Sequence, residues 1–157
     1  MTDKFTEYAQ KVAGTNIDPR SLMSTDYFNH FSTVIMLLSM LPDSPDLLEE
    51  IDAWEFLDYV GHFKASGLDF APLAIEAYPY APENLRKQFE SKVQEMKMFV
   101  EVSRLGLRQL LTQNHPEKFK DMAIRISREL QNMVDAGGAI VHGHDASLDQ
   151  SAIDKLF

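Results

Sequence analysis

From Pro82 onward, Phe89, Val93, Met96, Val100, Ser103, Leu107 and Leu110 recur at alternating spacings of four and three, and this seam limits the fold more than any other feature. Helix formers fill the positions between them, and Gly106 is the only glycine in the stretch. A seam of this period wants a partner stripe. Beyond the turn-like Asn114-His115-Pro116, Phe119, Met122, Ile126, Leu130 and Met133 supply one, on a helix expected to end at Gly137. The two segments predict an antiparallel helical hairpin. Met98, Phe99, Val102 and Leu105 fall outside the seam, so either the N-terminal helices or a second copy of the chain must cover them. A homodimer through the hairpin is therefore one expectation.

The N-terminal half reads as shorter helices. Phe5, Tyr8, Ala9 and Val12 mark one within Thr2 to Val12, before the turn residues Gly14-Thr15-Asn16 and Asp18-Pro19. With Ser24 or Thr25 as cap, the apolar residues from Tyr27 to Leu41 cover most of a helix surface, which predicts a helix nearly surrounded by protein. Pro42 stops it, and Ser44-Pro45 restarts the chain as a cap followed by proline at the first helical position. Leu47, Ile51 and Trp54 then form a stripe continuing less regularly through Leu57, Val60 and Phe63 to Gly67, with Asp69 as the cap of a further short helix. No strand, repeat or low-complexity tract stands out. The expected fold is all-α: a single helical bundle over 1–136, a flexible linker over 137–146 and an amphipathic tail helix over 147–157.

Composition narrows the function classes. With 157 residues and 45% hydrophobic content, a domain of this size buries a core without staples, and the absence of cysteine excludes disulfides and thiolate metal sites. The net charge of -9 argues against binding nucleic acid or anionic membranes. The polar start Met1-Thr2-Asp3-Lys4 and the short apolar run around Val34 to Leu38 predict neither a signal peptide nor a membrane span, so the expected location is cytoplasmic.

The tail is where binding chemistry concentrates. Ser147 and Gln150 form a capping-box arrangement, and the helix they start groups Leu148, Ala152, Leu156 and Phe157, with Ile153 beside them, while Asp149 and Asp154 face water or a basic partner. The segment Leu148-Asp149-Gln150-Ser151-Ala152-Ile153-Asp154-Lys155-Leu156-Phe157 resembles the Leu-Ser-Gln-x-Glu-Ile-Asp-x-Leu-Leu segment of the flagellar switch protein FliM. It is also similar to the acidic amphipathic tail of the chemotaxis phosphatase CheZ. Leu148, Gln150, Ile153, Asp154 and Leu156 match the FliM pattern in type, and Phe157 replaces a leucine; Asp149 stands for its serine and Ala152 for its glutamate. Both family segments bind the response regulator CheY, so the resemblance implies a CheY-like receiver domain as partner, met by Leu148, Asp149, Gln150, Ile153, Asp154, Leu156 and Phe157.

In the body, Glu129 and Asn132 share a helical face, with Gln131 between them. Glu-x-x-Asn resembles the motif of the CheC and CheX phosphatases, which implies Glu129, Gln131 and Asn132 as candidate catalytic residues, the amide positioning water against an aspartyl phosphate. The surrounding residues differ from that family, and the CheZ active-helix pattern is absent. His62-Phe63-Lys64-Ala65-Ser66-Gly67 resembles the His-x-x-Lys-Gly core of phosphotransfer domains with the lysine displaced by one position, and His30 reads as a polar contact on a buried helix. His142-x-His144-Asp145 is a weak chelate in a glycine-rich stretch. No phosphate loop or nucleophile motif is present, and no cofactor or metal is expected. Three functions stay open: a non-enzymatic adaptor docking a phosphorylated receiver through the tail, a divergent response-regulator phosphatase, and a ligand-sensing bundle.

Overall fold

The computed structural model describes residues 3–143, and its seven α-helices follow the capping and breaking signals closely. Helix α1, Lys4–Lys11, starts where Asp3 Oδ1 accepts the Thr6 amide at 2.7 Å. Ser24 caps a 3₁₀ turn, Thr25–Phe28, which leads into α2, Asn29–Met40. After Pro42 a second 3₁₀ turn opens at Pro45 and passes into α3, Leu48–Ala53. The short helices α4, Tyr59–Ser66, and α5, Ala71–Ala77, follow, and then the long pair α6, Glu83–Thr112, and α7, Pro116–Val141. Asn114 turns the hairpin in the left-handed region at φ 57°, a conformation asparagine tolerates better than most residues, and Pro116 opens α7.

Helices α6 and α7 form the antiparallel hairpin, and one face of it carries the rest of the chain: α2 lies on α7 and α3 on α6. The α6 seam of Phe89, Val93, Met96, Val100, Ser103 and Leu107 is buried in this contact, with Phe119, Ala123, Ile126 and Leu130 from α7. Around Tyr27 the core becomes aromatic, with Phe28, Phe31, Tyr59 and Phe89 rings 5.4 to 6.0 Å away, mostly edge to face. The fold is thus an all-α bundle. Among the described residues no helix is long and apolar enough to cross a membrane.

Four local expectations need correction. Helix α2 is not surrounded: Met36 and Met40 are exposed. The stripe from Leu47 to Phe63 is two helices, broken where Trp54 turns extended at ψ 128° and Asp58 caps α4 by accepting the Gly61 amide. Asp69 makes no cap, because the N-cap position of α5 is Phe70, which offers no side-chain hydrogen bond. Finally, α7 does not end at Gly137 but runs through Ala136-Gly137-Gly138-Ala139 to Val141, so the first residues of the expected linker are helical. Gly137 is buried there against Phe28, where a side chain would not fit.

Candidate functional site: an open groove along the hairpin

The N-terminal helices cover one face of the hairpin only. On the other, Met98, Val102 and Leu105 of α6 remain 56%, 63% and 69% exposed, at spacings of four and three that put them in one row. Of the two covers expected for these residues, the N-terminal helices are ruled out for all but the half-buried Phe99. Beside this row, α6 and α7 leave a predominantly apolar groove of about 420 Å³ in which Phe99, Val102 and Gly106 face Met122, Ile126 and Glu129. Gly106 deepens it, since a Cβ there would reach only the Met122 sulfur at 3.5 Å. The groove continues in both directions. Towards the end of α7 it passes Met98 and Met133 and then Ser91, Glu95 and Ile140, and towards the hairpin turn it reaches Lys118, Asp121 and Arg125.

Glu129 lies in this groove and Asn132 is exposed one turn further along α7, on the face they share. Gln131 does not join them; its amide donates to Asp135 at 3.0 Å. A carboxylate in an apolar groove, with an exposed amide one turn away, could orient a docked protein and a water. No acid-base or nucleophilic partner is assembled around them among the described residues.

His30 and His62 pack inside the fold. His30 Nε2 accepts the Leu57 amide at 2.9 Å, its carbonyl accepts Trp54 Nε1 at 3.0 Å, and the two rings stack at 4.6 Å. Burial, and next the neighbouring His62, hold the His30 imidazole down at about 4, so it is neutral at physiological pH. His62 is half-buried against Tyr27 and Phe63, its Nε2 is without a hydrogen-bond partner among the described residues, and burial lowers its pKa too. It does not present the exposed imidazole a phosphotransfer site needs, and Lys64 lies out on the surface.

Sequence reasoning missed the cluster at the end of α7. Asp18 accepts from the Arg20 side chain and backbone amide, and its Oδ2 is 3.1 Å from His142 Nδ1. Burial raises the Asp18 carboxyl, but these hydrogen bonds outweigh it and hold it at about 2. The last turn of α7 is therefore tied to the N-terminal loop, at the root of the tail. Asp-x-Arg in a tight turn is a readable signal; its partner 124 residues away is not. His144, Asp145 and all the receiver-binding candidates, Leu148, Asp149, Gln150, Ile153, Asp154, Leu156 and Phe157, lie outside the described residues, and among the described ones no His, Asp or Glu cluster could hold a metal.

Compared with protein-family models, with curated proteins and with solved structures, the chain matches none. The class therefore rests on fold and surface: an α-helical bundle with a long hairpin whose outer face carries an open, predominantly apolar groove.

Proposed function

We propose that this chain is a helical adaptor that docks a CheY-like receiver domain, in its phosphorylated state, through residues 147–157. The observation that carries the reading is the tail pattern itself, Leu148-x-Gln150-x-x-Ile153-Asp154-x-Leu156-Phe157, which resembles receiver-binding segments at six positions. Support comes from its setting, a helix end held by Asp18 and His142, which gives a short recognition segment a rigid root. On binding, Leu148, Ile153, Leu156 and Phe157 enter an apolar groove of the receiver and Asp149 and Asp154 meet basic residues at its rim. Ordering the segment opposes binding, so the affinity is on the order of micromolar.

Calorimetric titration into a receiver from the same cell, with and without a phosphoryl mimic, tests this. Tail-dependent binding that strengthens with the mimic is expected, with loss of binding in the full chain carrying Ile153→Ser and Phe157→Ser. Equal heats from both chains, or none from either, would remove the reading. A phosphatase is the second reading, favoured by the position of Glu129 in the groove with Asn132 exposed one turn further along α7. It requires that Asn132→Ala abolish dephosphorylation of the receiver while leaving the binding heat unchanged.

A further inference from the structure

We propose that the open groove of the hairpin is a seat for the chain's own C-terminal segment, residues 147–157, so that the tail exchanges between its own body and a partner. The inference rests on the reading of that segment as an amphipathic helix and adds a regulation to its proposed docking role.

Three observations point to this occupant. The first is continuity: the groove begins beside Ile140, in the last turn of α7, where the described chain ends at Gly143. A covering element thus leaves the core at the mouth of the surface it would cover. The second is length. Residues 143–146 reach up to about 13 Å when extended; Gly143 lies about 4.5 Å beyond the level of Ser91, so the segment arrives between Glu95 and Met98. An eleven-residue helix then spans about 16 Å, matching the stretch of α6 from Met98 past Leu105 and Gly106. The third is chemistry. Leu148, Ile153, Leu156 and Phe157 suit a groove lined by Phe99, Val102, Met122 and Met133, whose thioethers adapt to an incoming helix.

A second copy of the chain could also cover this face, but it must be gathered from solution. The tethered segment is present at an effective concentration of about millimolar, so even weak complementarity closes the groove within one chain. Closure then taxes partner binding: if the segment is seated in about nine chains of ten, the apparent affinity for a receiver drops about tenfold.

The test uses the full-length protein. The chain has no cysteine, so Ser151→Cys gives one attachment point for a nitroxide, on the polar side of the expected tail helix, and the methionine methyl groups of the groove serve as reporters. The methyl signals of Met98, Met122 and Met133 are expected to broaden, independently of protein concentration, and to sharpen again when Ile153→Ser and Phe157→Ser are added. Absence of broadening would overturn the proposal. So would broadening that appears only in mixed samples, in isotope-labelled chains lacking the nitroxide, because then a second copy occupies the groove. This measurement contains no receiver, so its outcome is separate from that of the docking reading. If both hold, Val102→Glu in the groove raises receiver affinity about tenfold by releasing the tail.

Discussion

Gly137 sits where α7 crosses Phe28, and a Cβ at that position would lie 2.4 Å from Phe28 Cζ. The ring cannot swing aside, since it is buried and packed edge to face on Tyr27 and Phe89. Gly137→Ala is expected to cost about 1 to 3 kcal/mol in urea unfolding despite its better helix propensity, as overpacking does. Gly138→Ala should have the opposite sign, a gain of about 0.5 to 1 kcal/mol, because its Cβ would meet only Thr25 Cγ2 at 3.9 Å. In the sequence the two glycines are equivalent and read together as the start of a flexible linker; only the packing of Phe28 separates them. His30 carries a second residue-scale prediction. Its folded-state pKa of about 4 lies below the usual 6.5, so between those values the unfolded chain binds more protons. Stability is fully present above pH 6.5 and is lost as pH falls through that window, with His62 acting in the same direction. The depressed Asp18 carboxyl acts in a lower window, from its usual 3.8 down to about 2. Thermal melts should therefore fall steeply between pH 6.5 and 4, and His30→Gln, which keeps an acceptor for the Leu57 amide, should flatten that part of the profile.

At the scale of elements, periodicity alone located the hairpin because both of its helices are long and bury one continuous seam. It failed between α3 and α4. There the apolar residues Trp54 and Leu57 keep a helical spacing, yet the backbone is held extended by contacts with distant residues: the Leu57 amide on His30 and the Trp54 carbonyl on Arg104. Such contacts have no local signature. Asp58, which begins α4, does have one, and Asp58→Ala is expected to cost about 1 kcal/mol through the lost cap, measured by the urea midpoint. The seam likewise distinguished the two sides of α6 without saying what lies on the outer one. Leu105 and Leu107 are two positions apart, the first 69% exposed and the second fully buried. Leu107→Ala should cost about 2 to 5 kcal/mol, whereas Leu105→Ala should stay within about 0.5 kcal/mol in a chain whose tail is kept off the groove by Ile153→Ser and Phe157→Ser. A large loss at Leu105 in that chain would mean that something other than the tail covers its face.

Across the whole molecule, the N-terminal helices behave as a lid on one face of the hairpin, and the core they share is a single cluster running from Val12 to Val141. This joint burial explains why a hairpin with an open outer face can still be the scaffold: its inner face is closed by residues from α2, α3 and the aromatic group around Tyr27. The resemblance of the tail segment rests on residue type and needs no structure, while the groove could be seen only once the row Met98, Val102 and Leu105 was placed in space. A single core makes a strong claim about folding, namely that the lid and the hairpin do not come apart separately. The lone tryptophan is well placed to test it. Trp54 stacks on His30 of α2 and lies under the Arg104 guanidinium of α6, so its fluorescence reports the docking of the lid on the hairpin, whereas far-ultraviolet circular dichroism is dominated by α6 and α7. Both signals should follow one urea transition with the same midpoint and a slope of about 1 to 3 kcal/mol per molar. If the tryptophan transition came first and the helical signal survived it, the hairpin would be an independent unit, and the burial of its inner face by the N-terminal helices would be a reversible docking step.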